Sequence, residues 1–460
     1  MNMTRIGVAL YSALLLAGCV AVPAARHRAA APALPAHWQS PAGPAADAVT
    51  QDWWRGFGSA ELEHLVQQAG AQSNDLAAAT ARVRQAEASA RQAGAALLPD
   101  VAASLQAGRQ GRMGGQADVS GSHYSGALTA SYEMDFWGGN RAARDAALAE
   151  WQASALDRDT VRLTLTAGVA SAWLQDLALR ERAAIAEMNL RSAERLLTWV
   201  ASRQRAGAAT ALELAQQRGL VAAQQRQLAA LRQQAGDART ALAVLLGQPG
   251  LALDGAAQPS VWSGLQEARI DPGLPSQLLT RRPDIARAEA RLAAADAQVA
   301  VARAAMLPRL TLNASLGTGG DRPGRMFDNP LYSLAAGLAA PVFDAGRLAA
   351  RSDLAQARRE ELLADYRQAI VAAFGDAEVA LNATAGLQAQ SLAQQEELRQ
   401  AQRALALAEN RYRAGAESLL TLLDAQRTLY AAQDLGVQLK LARLQARVGL
   451  YRALGGGWRN

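Results

Sequence analysis

The 460-residue chain has one cysteine, one lysine, four histidines and only 5% aromatic residues. Each shortage excludes something. A lone cysteine, Cys19, permits no intrachain disulfide, so the fold has to hold together without one. Lys440 is the only lysine, and the net charge of +6 is therefore an arginine charge. Those arginines alternate with Glu, Asp and Gln, as in Arg358-Arg359-Glu360-Glu361. They are not gathered into the basic patch of a nucleic-acid binder, so no nucleic-acid partner is expected. His27, His37, His64 and His123 are scattered without metal-ligand spacing. Neither a phosphate-binding loop nor a nucleophile motif is present. No catalytic residue, cofactor or metal is expected, and the chain reads as no enzyme. Few aromatics with abundant alanine favour long helices packed through small side chains.

Proline is missing from two long runs, 140–207 and 346–415. Both are dominated by residues that lose little entropy in a helix. A continuous helix of either length is about 100 Å long, far beyond the roughly 11 residues usual in a globular domain. Helices of that length imply a function that requires reach.

The N-terminus carries Arg5 and then an apolar run too short to span a bilayer as a mature helix, so residues 1–18 read as a signal peptide. The run ends Leu16-Ala17-Gly18-Cys19, similar to a bacterial lipobox. Cleavage before Cys19 and acylation of its thiol and amine are expected, and several acyl chains anchor firmly at about 0.8 kcal/mol per buried methylene. Val20 after the cysteine points to the outer membrane. Residues 19–50 then form a lipidated tether rich in Ala and Pro.

The remainder is one unit written twice. Pro99 aligns with Pro308, Tyr124 with Tyr332, Arg205-Ala206-Gly207-Ala208 with Arg413-Ala414-Gly415-Ala416, and Leu246-Gly247 with Leu454-Gly455, all at an offset of 208 or 209. The expected copies are 51–260 and 261–460, joined by a Gly- and Pro-rich linker. In the first, a helix near 74–96 precedes a β-hairpin at 98–136, a long helix at 140–206 and a shorter helix at 210–247. In the second, the same order is a helix at 283–306, a hairpin at 308–343, a long helix at 346–414 and a helix at 418–455. Asn74 and Asp75 are the expected caps of the first helix. Pro283 suits a first helical turn. After Pro308, Leu310, Leu312, Ala314 and Leu316 alternate with Thr311, Asn313 and Ser315, the period of a strand with one apolar face.

Each strand is long enough to cross a membrane when tilted. Four such strands cannot close a barrel, and open edges cannot face lipid. The chain must then oligomerise, and three copies supply twelve strands. The two shorter helices of a copy, stacked in line, match the long helix in length. The expected fold class is thus an α+β membrane protein: a trimeric 12-stranded outer-membrane β-barrel, four strands per chain, continued by a long periplasmic α-helical barrel.

At this point the chain resembles the TolC-like outer-membrane efflux channels, in the lipoprotein branch of OprM and NodT. The resemblance rests on Arg282-Pro283-Asp284-Ile285 with Ala288-Glu289, on Leu307-Pro308, on Tyr412-Arg413-Ala414-Gly415 followed by Leu419 to Arg427, and on the closing Leu454-Gly455-Gly456-Gly457-Trp458. It implies a homotrimer in outer-membrane lipid that extends into the periplasm and docks to a periplasmic adaptor protein and an inner-membrane pump. The function it implies is export of small molecules, drugs or toxic compounds; the alternative is a duct for type I protein secretion. The resemblance also implies a periplasmic aperture, with Asp424 as an acidic ring and Leu420 as an apolar constriction. Arg411, Tyr412 and Arg413 would supply the bonds that hold it shut. Arg205, Gly207, Arg413 and Gly415 would be adaptor-facing tips, and both glycines also read as plain helix C-caps. Arg282 to Ile285 is expected to be structural. Gln216 stands at the position of Asp424 in the first copy, so only the second copy carries the acid. Tyr124, Tyr132, Phe136, Trp137, Tyr332 and Phe343 are candidates for aromatic girdles or for ordinary strand packing.

Overall fold

The computed structural model describes residues 32–40, 49–116, 120–249, 259–267 and 270–458. The expected signal peptide, Cys19 and most of the expected tether lie outside them.

Helix α1 (Ala60–Gln72) starts at Ser59, whose hydroxyl accepts the Leu62 N–H at 3.2 Å. Helix α2 (Asn74–Ala95) follows without a loop. Ser73, extended at ψ 123°, takes the cap position, and its carbonyl accepts from Ala77 N at 3.0 Å. Asn74 and Asp75 are therefore the first helical residues rather than caps. Strands β1 (Asp100–Gln110) and β2 (Gly121–Met134) form a hairpin, and helix α3 (Gly139–Arg205) runs 67 residues from it. Helix α4 (Ala211–Leu245) returns. After two short helices, α5 (Pro259–Gly264) and α6 (Leu278–Arg281), the second copy supplies α7 (Pro283–Ala304), β3 (Arg309–Gly320), β4 (Leu331–Ala339), α8 (Arg347–Arg413) and α9 (Leu419–Ala453). Helices α3 and α8 have the same length, as do α4 and α9 at 35 residues.

The chain divides into two compact units, and each draws on both copies. The first, centred on Arg91–Ala149 and Ala288–Gln368, contains all four strands. They form one antiparallel sheet in the order β1-β2-β3-β4, so β1 and β4 are both edges. The register fixes the faces. Leu310, Leu312, Ala314 and Leu316 stand opposite Met134, Tyr132, Ala130 and Leu128 on one side, and opposite Leu338, Ala336, Leu334 and Tyr332 on the other. That face is almost wholly apolar. The opposite face pairs Thr311, Asn313 and Ser315 with Glu133, Ser131 and Thr129, and with Gly337, Ala335 and Ser333. On the apolar face Tyr332, Leu334 and Leu338 are each more than 70% exposed, which suits a sheet whose solvent is not water.

Strand β4 is shorter than its expected span to residue 343 and ends at Ala339. Pro341 follows and has no N–H for the ladder. Phe343, Phe136 and Trp137 consequently lie beyond the strand ends. Phe136 and Trp137 meet edge to face, and Trp137 Nε1 donates to Pro308 O at 2.7 Å. Each strand-to-helix corner is made by an aspartate that accepts backbone N–H groups of the coming helix: Asp135 from Asn140 and Arg141, Asp344 from Gly346 and Leu348, all at 2.9–3.1 Å. Ala345 beside Gly346 adopts φ 54°, a left-handed conformation enforced by this tight corner.

The second unit, centred on Leu34–Ala90, Glu150–Arg287 and Ala369–Asn460, holds the main core. Trp53, Phe57, Leu62, Trp173, Leu174, Leu246 and Tyr451 are buried together, with Trp53 stacked on Tyr451 at 4.7 Å. Arg282 closes this region as a clamp. Its guanidinium donates to both Asp284 oxygens, to Asp376 and to the carbonyl of Ala453 at 3.0 Å. Gly455 sits so close that an added Cβ would fall 1.9 Å from Arg281 O. The Arg-Pro-Asp-Ile segment is thus a helix start and a brace for the C-terminal end.

Candidate functional site

The expected gate and tip residues gather where α3 turns into α4 and α8 into α9. Both turns lie in the second unit. Helix α3 ends in a left-handed glycine, Gly207 at φ 75°, and α8 in Gly415 at φ 72°. Ala208 N donates to Arg203 O and Ala416 N to Arg411 O, at 2.8 and 2.9 Å, which closes each helix with the same bond. Arg203 and Arg411 are 208 apart, and each points Nη2 at the carbonyl of the residue after its glycine, at 3.0 and 3.5 Å.

The next helices are capped differently. Thr210 and Glu213 form a reciprocal capping box, with Glu213 N donating to Thr210 Oγ1 at 3.1 Å and Thr210 N to Glu213 Oε2 at 2.6 Å. Ser418 caps α9 through Thr421 N at 3.3 Å. Glu417 backs that cap. It accepts from Ser418 N at 3.2 Å and from the Thr421 hydroxyl at 3.0 Å, and pairs with Arg411 at 3.4 Å. The Ser418 N–H first, then the Thr421 hydroxyl and the Arg411 charge, hold the Glu417 carboxyl below its ordinary pKa.

A buried cluster ties the four helices together: Ala193 and Val200 from α3, Leu220 and Val221 from α4, Ala408 and Tyr412 from α8, and Leu419, Leu422 and Leu423 from α9. Of the three residues expected to hold the aperture, Tyr412 alone reaches another helix within the chain. Its buried ring meets Trp199 edge to face at 5.1 Å, and Arg203 lies over both rings at 5.3 and 5.2 Å. Burial first, and the nearby Glu213 carboxylate second, push the Tyr412 phenol up from its ordinary pKa. Arg411 bonds its own turn, and Arg413 pairs with Glu409 one helical turn back at 3.2 Å. Arg205 donates to Ala201 O and Ser202 Oγ on its own helix, so its remaining donors face solvent at the tip.

Leu420 is 61% exposed and Asp424 is exposed on the same face of α9, four residues on. The Asp424 carboxylate has no hydrogen bond or ion pair among the described residues; only its backbone carbonyl is used, by Thr428. Leu212, the first-copy counterpart of Leu420, is 67% exposed. It went unremarked in the sequence, although the 208-residue offset points straight to it. Trp199, Arg203, Glu213 and Glu417 also belong to this site; Glu213 carries the Thr-x-x-Glu signature of a capping box, while no motif marks the other three, because their roles arise from contact across the turn.

Comparison with known proteins decides what such a molecule is. The sequence profile of the outer membrane efflux protein family matches residues 65–248 and again residues 274–456. The chain belongs to the outer membrane efflux protein family. The two matches begin 209 and end 208 residues apart, which is the internal repeat. The chain is 52% identical over 469 residues to the pyoverdine export outer membrane protein OpmQ of Pseudomonas aeruginosa, covering 100% of this chain and 98% of that one. The OpmQ protein of Pseudomonas putida is 54% identical over 434 residues, 92% of each chain. Among solved structures, the open state of the MtrE outer membrane channel of Neisseria gonorrhoeae superposes with a TM-score of 0.83 at 28% identity, over 93% of this chain and 96% of that one.

The four strands and long helices are therefore those of a TolC-like outer-membrane channel with a periplasmic helical extension. It is the outer-membrane component of a tripartite efflux system and a transport protein, not an enzyme. The channel's sheet has its apolar face for lipid and its Thr, Ser and Asn face for the pore.

Proposed function

We propose that three copies of this channel close a twelve-stranded barrel and a helical tunnel, gated at the turn ends and docked there to a periplasmic adaptor and inner-membrane pump. The observation that carries the reading is the four-stranded sheet with two open edges, β1 and β4. Unpaired edge groups in hydrocarbon cost several kcal/mol each, on the order of the penalty for any buried unsatisfied peptide group, and only closure with further copies removes them.

At the turn ends, Leu420 and Asp424 face the axis and close the resting aperture. Three aspartates around one axis repel one another and attract cations. Tyr412, locked between Trp199 and Arg203, holds α8 and α9 against α3 so that the ring keeps its diameter. The Arg205–Gly207 and Arg413–Gly415 tips present free guanidinium donors and bare backbone, which suits contact with an adaptor.

The cargo is a small molecule. Both similar OpmQ proteins are named for pyoverdine export, and a solute of that kind is the cargo we propose here. Cys19 carries the lipid anchor. Radioactive palmitate should label the native chain and fail to label Cys19→Ser; equal labelling of both would end the anchor assignment.

The assembly is tested by extracting the full chain in mild detergent and reconstituting it in planar bilayers. Heat-resistant trimers and discrete ion-conducting events are the expected result. A monomer that conducts nothing would overturn the reading.

A further inference from the structure

Beside the Leu420–Asp424 face, a cavity of about 250 Å³ lies among α3, α4 and α9. Its walls carry three arginines, Arg182, Arg226 and Arg427, against one carboxylate, Asp434. Arg182 already satisfies that carboxylate through two bonds of 2.6 and 3.0 Å, and Gln438 donates to it as well. Arg226 and Arg427 are exposed at the cavity and make no ion pair among the described residues. Asp424 stands three residues before Arg427, yet the two are not within ion-pair distance. Gln224 and Gln227 add amide groups to the same wall.

Helical spacing says where the cavity opens. Leu420, Asp424, Arg427 and Ala431 follow one another at steps of four, three and four along α9, a single stripe. Leu212, Gln216, Gly219, Ala223 and Arg226 form the counterpart stripe on α4. The two unpaired guanidiniums thus lie on the faces that carry the exposed leucines, Arg427 about two turns beyond Leu420 and Arg226 about four turns beyond Leu212. Each offers a planar fork of donors that matches a carboxylate or a phosphate, and two cations held at one half-enclosed cavity repel each other until an anion joins them.

We propose that this cavity is an oxyanion-binding station, taking the carboxylate or phosphate groups of a solute that has just passed the aperture. Its place in the tunnel rests on the gate reading above; the binding itself rests only on the cavity and its charges. A station of this kind offsets the acidic ring. An anionic solute repelled by three Asp424 carboxylates meets compensating positive charge immediately behind them.

Citrate is the probe, titrated calorimetrically into the detergent-solubilised full chain, with chloride at matched ionic strength as the reference. Saturable citrate binding is expected, weakened about tenfold or more in Arg226→Gln/Arg427→Gln, since a charged hydrogen bond contributes roughly 1.5–3 kcal/mol. Arg226→Lys/Arg427→Lys should recover part of it, and Asp424→Ala should not weaken it. Both arginines are exposed, so the Gln variants should fold as the parent does; trimer yield checks this. Citrate heats no larger than the chloride reference would overturn the proposal. So would equal affinity in the double Gln variant. If Arg427→Gln alone raises resting conductance while citrate binding is unchanged, Arg427 serves the gate and the station is refuted. A failure of Asp424→Ala to change conductance would refute the gate and leave the citrate result standing, so the two readings fail separately.

Discussion

The two turn ends share a backbone and differ in chemistry. Gly207 and Gly415 have nearly the same φ, the closing bonds from Ala208 and Ala416 are the same, and a hydroxyl residue, Thr210 or Ser418, stands at the start of each next helix. Several of the side chains diverge. Gln204 stands where the second turn has the buried Tyr412, Ala209 where it has Glu417, and Gln216 where it has Asp424. The two turns thus share the backbone shape, while the bonds and charges of the proposed gate stand mostly in the second copy. The first copy is not passive, since Trp199 and Arg203 form the socket that Tyr412 fills.

The largest expected break in this comparison comes from that socket. Tyr412→Ala removes a buried ring together with its two aromatic and cationic neighbours' contacts. The opening free energy of amides at the second turn should fall by about 3 kcal/mol, read by hydrogen exchange. Gln204→Ala, at the matching half-buried position, should change it by less than about 0.5 kcal/mol. Similar effects of both changes would mean that Tyr412 is not the tie between the helices.

A smaller break is expected from pH. Glu417 is held below its ordinary pKa by Ser418, Thr421 and Arg411. A depressed carboxylate contributes stability that is present above its unfolded pKa and is lost as pH falls through the folded one. The amides of Ser418 and Thr421 should therefore exchange faster relative to those of Thr210 and Glu213 as pH drops below the ordinary glutamate range. Glu417 is only partly buried, with about a quarter of its side chain open to solvent at 26%, so the effect should be small and should fade in high salt. Exchange at both turns that follows pH in parallel would remove Glu417 from the account.

Much of this was legible in the chain because it depends on spacing. The 208-residue offset, the alternation from Leu310 to Leu316 and the paired Arg-Ala-Gly turns are patterns that one sequence can display. The end of β4 was also legible, since Pro341 cannot join a ladder, but the apolar residues up to Phe343 conceal it. Helix α1 carried a weak signal: its 13 residues sit directly against α2, with Ser73 serving as the end of one and the start of the other. The Trp199–Arg203–Tyr412 stack was not legible, because it joins residues more than 200 apart through three side chains that share no motif. Arg226 and Arg427 stayed hidden for the same reason. Each alone reads as a solvated helix residue, and only folding brings them to one cavity.

The central claim is that the acidic residue of the gate stands in the second copy alone. Its most direct test is the resting conductance of the reconstituted full chain in planar bilayers, with Asp424→Ala compared against Gln216→Ala. The account predicts a several-fold rise for Asp424→Ala and none for Gln216→Ala. Unchanged conductance in Asp424→Ala, or an equal rise in both variants, would contradict it.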